Sequence, residues 1–213
     1  MSLIAVIDYG MGNLRSVVKA LEHVAPKARV VVSDAAATLR RADRLVFPGQ
    51  GAIGDAMAQI KQRALIETIH AGIRGKPFLG LCLGLQVLMS HSDENNGVEG
   101  LNEIPGQVRH FKALHAKTPQ TTRLKIPHMG WNQVYQTQDH PLWKGIEDGS
   151  RFYFVHSYYV EPENGLFSAG VCDYGGEFVV AAAHAQFFAV QFHPEKSQKA
   201  GLRLLQNFVN WDV

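Results

Sequence analysis

Pro77-Phe-Leu-Gly-Leu-Cys82-Leu-Gly-Leu-Gln86 decides the fold. A short, continuously apolar run ends at a cysteine with glycines two residues before and two after it, and a second apolar stretch follows at once. This is the pattern of a strand that turns sharply into a helix, a nucleophile elbow with cysteine in place of serine. The glycines are needed because the strand and helix come too close there for side chains. A helix starting just behind Cys82 turns free N–H groups and partial positive charge toward the sulfur, a setting that favours the anionic nucleophile and helps hold an oxyanion.

Outward from the elbow, the N-terminal third alternates apolar runs with amphipathic stretches. Strands are expected at Leu3–Ile7, Ala28–Val32, Arg44–Phe47 and Pro77–Leu81. Helices are expected at Leu14–Val24 and Ala56–Gly72, with a further one from about Leu83 to Ser90. Alternation of this kind favours a parallel sheet covered by helices on both faces. After residue 95 strands dominate: Val108–Phe111, Gln133–Tyr135, Arg151–Val160, Gly165–Asp173, Phe178–His184 and Phe187–Phe192. A closing amphipathic helix, about Ser197–Trp211, carries Leu202, Leu205, Phe208 and Val209 at core spacing. The expected fold class is a three-layer α/β architecture with a mixed central sheet, in a single domain spanning residues 1–213.

Composition excludes several function classes. The 213 residues are 46% hydrophobic and 19% charged, with no linker-like or low-complexity stretch, and the net charge of +2 is spread along the chain. That is not the clustered footprint of a nucleic-acid or membrane-surface binder. No apolar run reaches the roughly 18 residues of a membrane span, and the N-terminus lacks the basic region of a signal peptide. Two distant cysteines, Cys82 and Cys172, make neither a disulfide framework nor a metal site. A cytoplasmic enzyme without metal or cofactor is expected. Cys172, in Ser168-Ala-Gly-Val-Cys-Asp173, has no elbow around it and reads as a buried small hydrophobe.

A thiol nucleophile needs a base, and the base needs an orienting group. Val190-Gln-Phe-His193-Pro-Glu195 supplies both, because residues two apart in an extended segment project to the same side. His193 is the candidate base and Glu195 its partner. Arg44-Leu-Val-Phe-Pro48-Gly-Gln-Gly51 is a strand entering a turn with two side-chain-free positions, so its backbone amides can approach a substrate.

With the elbow, the Pro-Gly-Gln-Gly turn and His193-Pro-Glu195 in this order, the chain resembles the class I, triad-type glutamine amidotransferases, which have a flavodoxin-like fold, over nearly its full length. Ile7-Asp-Tyr-Gly-Met-Gly-Asn-Leu14, Pro127-His-Met-Gly-Trp-Asn132, Tyr153-Phe-Val-His-Ser-Tyr158 and His193-Pro-Glu-Lys-Ser197 narrow the likeness to the glutaminase subunits of imidazole glycerol phosphate synthase. The resemblance implies hydrolysis of L-glutamine to glutamate and ammonia through a thioester on Cys82, with His193 and Glu195 completing the triad. It implies an oxyanion hole from the Leu83 amide and the turn ending at Gly51, after a peptide there reorients. It places Gly49, Gln86, Glu94, Ser157 and Tyr158 at the glutamine. It also implies a (β/α)₈-barrel cyclase subunit as partner, contacted by Met129, Trp131, Tyr153 and Lys196, which uses the ammonia to make imidazole glycerol phosphate and AICAR in histidine biosynthesis. The turn departs from the family at Gln50, where an apolar residue is commoner. The competing readings are a glutaminase serving another synthase, a cysteine peptidase or thiol hydrolase on a related scaffold, and a module that has lost its chemistry.

Overall fold

The computed structural model describes residues 2–117 and 124–213. In chain order the elements are β1 (Leu3–Ile7), α1 (Leu14–Val24), β2 (Arg29–Ser33), α2 (Ala36–Arg41), β3 (Arg44–Phe47), α3 (Ile53–Gln62), α4 (Ile66–Gly75), β4 (Phe78–Leu81), α5 (Leu83–Gln86), β5 (Met89–Ser92), β6 (Val98–Glu99) and β7 (Ile104–His110). There follow α6 (Phe111–Ala116), β8 (His128–Gln133), β9 (Tyr135–Gln136), β10 (Arg151–His156), β11 (Tyr158–Pro162), β12 (Ser168–Asp173), β13 (Glu177–His184), β14 (Phe187–Val190) and α7 (Gln198–Val209).

The main sheet runs β2-β1-β3-β4-β14-β13-β11-β7-β5-β6, with β12 and β9 continuing from β13. Pairings from β2 through β14 are parallel, whereas β13 pairs antiparallel with β14, β11 and β12. The sheet is therefore mixed, as expected. Its central strands are apolar on both faces because both are covered. Ile4, Val6, Val46, Leu79, Phe188 and Val190 pack with α1 and α7, while Ala5, Ile7, Leu45, Phe47, Phe78 and Ala189 pack with α3 and α4. That alternation makes three layers and brings the C-terminal ends of β3 and β4 and the end of β14 together at one edge. No helix among the described residues is long and apolar enough to cross a membrane.

Several expected elements differ. The single helix over Ala56–Gly72 is two, α3 and α4, parted at Ala64 with φ 53°. The buried stripe Ile53, Ala56, Met57, Ile60 resumes at Leu65 and Ile69, and the step of five from Ile60 to Leu65 breaks helical phase. The helix after Cys82 ends at Gln86 instead of Ser90: Val87 and Leu88 turn their carbonyls to Leu101 and Glu103 N–H groups, and Met89 begins a strand. The run Arg151–Val160 is two strands meeting at Ser157, one paired with β8 in a separate two-stranded sheet and one with β7. The strand placed at Gln133–Tyr135 lies earlier, at His128–Gln133, with a two-residue strand after it, and the one placed at Val108–Phe111 runs Ile104–His110. Helices α2 and α6 and strands β5 and β6 were not expected.

Candidate active site

Cys82 sits between β4 and α5 with φ 54° and ψ −105°, a strained conformation for a residue with a side chain. The turn is held by Cys82 N–H donating to the Val190 carbonyl at 2.7 Å. The flanking glycines are required by space: a Cβ on Gly84 would lie 2.2 Å from the Phe47 carbonyl oxygen, and one on Gly80 would lie 2.8 Å from the Gly84 carbonyl oxygen. Because α5 has only four residues, its contribution at Cys82 comes from local N–H groups more than from a macrodipole. Leu83, the first residue of α5, has an N–H with no intrahelical acceptor.

From the end of β14 the chain delivers His193, whose Nδ1 is 2.8 Å from Glu195 Oε1. The backbone that joins them is not extended as expected: Pro194–Lys196 form one 3₁₀ turn, and the pair meets across it. Both side chains are nearly fully buried. Burial is the largest single influence on the imidazole and opposes its charge, yet the interactions with Cys82 and Glu195 together outweigh it and raise the His193 pKa to about 10. Among the described residues, His193 Nε2 and Glu195 Oε2 have no hydrogen-bond partner. The sulfur is thus close enough to raise the proton affinity of the ring.

Cys82 and His193 open into a cleft of about 470 Å³ lined also by Gln50, Gly51, Leu83, Gln86, Glu94, Ser157, Tyr158 and Lys196. A larger open groove near His23, Glu147, Lys199 and Arg203 contains none of the motif residues. Of the residues the resemblance places at glutamine, Gln86, Glu94, Ser157 and Tyr158 line this cleft, and Gly49 does not. Gly49 lies behind it, where an added Cβ would be 2.6 Å from Leu83 Cβ and 2.7 Å from the Tyr9 hydroxyl. Gly51 has φ +94°, open to glycine and strained for other residues. One oxygen of Glu94 already accepts from Ile53 N–H at 2.9 Å, capping α3.

Met129 and Trp131, on β8, are 62% and 39% exposed, so they lie at the surface and not in the core. Trp131 meets Tyr153 edge to face at 6.1 Å, and Lys196 Nζ stands 5.9 Å from the Tyr153 ring centre. These four make a patch bordering the cleft through Lys196. Cys172 is buried in β12, and burial, followed by the neighbouring Asp173, pushes its thiol up to about 12, as suits an inert core cysteine.

The sequence reading missed four groups. Gln191 is fully buried and donates through Nε2 to Cys82 Sγ at 3.6 Å. The Tyr9 hydroxyl is buried without a partner among the described residues, and burial with nearby Cys82 raises its pKa. Ser197 Oγ donates to the His193 carbonyl at 2.6 Å and accepts from Tyr153 N–H at 3.0 Å. His128 Nδ1 lies 2.9 Å from His156 Nε2, and His156 Nδ1 lies 2.7 Å from the Tyr158 carbonyl. A single polar residue inside the apolar run Phe187–Phe192 was a visible signal for Gln191; the others depend on distant chain segments.

Residues 5–211 match the family described as glutamine amidotransferase class-I. The chain is 53% identical over 211 residues to the imidazole glycerol phosphate synthase subunit HisH of Aromatoleum aromaticum, covering 99% of each. It is 54% identical over 213 residues to subunit HisH 1 of Pseudomonas aeruginosa, covering all of this chain and 98% of that one. Among solved structures, a glutamine amidotransferase superposes with a TM-score of 0.69 at 15% identity, covering 97% of each chain. PurLQS from Thermotoga maritima gives 0.69 at 17%, covering 98% of each, and these two likenesses bear on the fold alone. The chain belongs to the class-I glutamine amidotransferase family, among the HisH subunits of imidazole glycerol phosphate synthase.

Proposed function

We propose that this chain, as one amidotransferase unit over residues 1–213, is the glutaminase subunit of an imidazole glycerol phosphate synthase, and that it hydrolyses L-glutamine at Cys82. The observation that carries the reading is the meeting of a strained elbow cysteine with a buried His193–Glu195 pair at one cleft. Cys82 Sγ attacks the carboxamide carbon. The oxygen that gains charge is held by the Leu83 N–H and by an N–H of the turn ending at Gly51. His193, made cationic beside Cys82 and Glu195 and oriented by Glu195, gives its proton to the departing nitrogen, so ammonia leaves and a thioester remains. Water then adds with His193 as base, the carbon–sulfur bond breaks with its electron pair on sulfur, and glutamate is released.

Gln86, Glu94, Ser157 and Tyr158 bind the glutamine along the cleft, with the turn at Gly49 forming its back wall. Met129, Trp131, Tyr153 and Lys196 receive a (β/α)₈-barrel cyclase subunit, to which the ammonia passes for synthesis of imidazole glycerol phosphate and AICAR. The work is done in the cytoplasm with no metal or cofactor. Membership among HisH subunits supports this acceptor over that of another synthase, and the class-I glutamine amidotransferase match supports glutamine over a peptide as substrate.

The test is glutamate release from glutamine by the purified chain, with and without the cyclase and its nucleotide ligand. Strong stimulation by the cyclase is expected. Activity indifferent to it assigns the chain to another synthase or to free-standing hydrolysis, and unchanged hydrolysis by a complex carrying Cys82→Ala removes the nucleophile assignment.

A further inference from the structure

β14 leads to His193 through Gln191, whose side chain is fully buried beside the sulfur and has no part in the scheme above. Its Nε2 donates to Cys82 Sγ at 3.6 Å, and its Oε1 accepts from Gln86 Nε2 at 3.0 Å. Gln86 Nε2 also donates to the Tyr158 carbonyl at 3.4 Å.

This chain of contacts has a single direction. A carbonyl oxygen only accepts, so Gln86 must face Tyr158 with its nitrogen, and the two hydrogens there go to Tyr158 and to Gln191. Gln191 therefore presents oxygen to Gln86 and nitrogen to sulfur. Flipping Gln86 would set its oxygen against the Tyr158 carbonyl and the Gln191 oxygen, and flipping Gln191 would set its nitrogen against that of Gln86, at a site where buried polar groups need partners.

We infer that Gln191 is a positioning residue for the nucleophile, aiming a buried amide N–H at Cys82 Sγ and tying the sulfur to Gln86 and Tyr158 at the cleft wall. The inference rests on Cys82 being the nucleophile. An N–H aimed at sulfur favours the anion over the thiol, because hydrogen bonds to a charged acceptor are the stronger ones. A thioester sulfur is a poor acceptor, so the contact weakens on acylation and is recovered when the thioester breaks. Gln191 thus favours the step in which the carbon–sulfur bond yields its electron pair to sulfur as water, deprotonated by His193, adds to the carbonyl. Because the donor is also bonded to Gln86, a side chain that moves against bound glutamine shifts the nucleophile with it.

The experiment is the pH profile of Cys82 alkylation by iodoacetamide in the intact chain, compared among wild type, Gln191→Met and Gln191→Glu. Loss of the donor in Gln191→Met is expected to move the midpoint up by about one pH unit, and Gln191→Glu, which sets a carboxylate against sulfur, is expected to move it further. Thermal unfolding of each variant separates this from general damage, since a merely structural Gln191 lowers the melting temperature and leaves the profile in place. A second measurement needs no variant: in the wild-type chain the side-chain amide protons of Gln191 are expected to shift across the pH range in which alkylation switches on. Unmoved midpoints in the folded variants, or amide protons indifferent to that range, overturn the inference. If Cys82→Ala also leaves glutamine hydrolysis intact, the nucleophile reading fails with it; if Cys82→Ala abolishes hydrolysis, only the role of Gln191 falls.

Discussion

His193 and Glu195 are two residues apart, joined by a single 3₁₀ turn, and their Nδ1 and Oε1 atoms meet at 2.8 Å with both side chains almost wholly out of water. Glu195 fixes which ring nitrogen carries the permanent proton and leaves Nε2 to face the sulfur. The raised pKa of about 10 makes His193 cationic in the folded chain over the ordinary range, against about 6.5 when unfolded. Stabilisation from this group is fully present below pH 6.5 and is lost as pH rises through about 10. The melting temperature is therefore expected to fall between those limits, and Glu195→Gln to flatten the fall. A wild-type melting curve level from pH 6.5 to 10 would contradict the assignment.

The acid limb has other causes. Burial lowers the pKa of His128 and His140 to about 4 and of His156 to about 3. Below pH 6.5 the unfolded chain takes up protons that these folded imidazoles refuse, so stability drops as pH falls from 6.5 toward 4. The tautomers are set as well: His156 donates from Nδ1 to the Tyr158 carbonyl, so its Nε2 must accept from His128 Nδ1. His128→Gln is expected to make unfolding less steep in acid, as read from melting temperatures at pH 4 and pH 7. An acid limb unaltered by this change would move the cause to other groups.

At the elbow, strain and space make opposite demands. Cys82→Gly relieves a positive φ and is expected to leave stability within about 1 kcal/mol of wild type while abolishing glutamine hydrolysis. Gly84→Ala, with its Cβ 2.2 Å from the Phe47 carbonyl oxygen, is expected to cost more than about 2 kcal/mol. Urea unfolding of the two variants decides, and an equal loss in both would show that the elbow is not strained at Cys82.

The exposed patch on β8 and β10 gives a fourth expectation. Trp131→Ala is expected to weaken cyclase binding at least about tenfold, since buried aromatic anchors dominate interfaces, with little change in melting temperature. Lys196→Ala is expected to impair coupling to the cyclase more than the KM for glutamine. Calorimetric titration with the cyclase, followed by steady-state kinetics, checks both. Unchanged affinity for Trp131→Ala would place the docking face elsewhere.

Much of this was legible because it is local. Leu3–Ile7, Leu14–Val24 and Arg44–Phe47 occupy the spans that their apolar patterns mark, and the approach of His193 to Glu195 is contained in three residues. What escaped depends on pairing across the chain. Met89–Ser92 is as apolar at its start as a helix end, and becomes a strand because β7 and β6 take up its backbone groups. The run Arg151–Val160 looks continuous, and only its two different partners reveal the break at Ser157. Gln191 reaches Gln86 over 105 residues, a separation at which no spacing rule operates.

The Tyr153 carbonyl, on the two-stranded sheet of β8 and β10, accepts the backbone N–H of His193, and Ser197 Oγ closes a second link by bonding Tyr153 N–H and the His193 carbonyl. The main chain of His193 thus hangs from the ribbon that carries Trp131 and Tyr153. With the proposed docking surface on this ribbon, drift there is restrained by chemistry: a change that re-seats the ribbon to suit a new partner also displaces the imidazole, so under that reading the two subunits evolve in step.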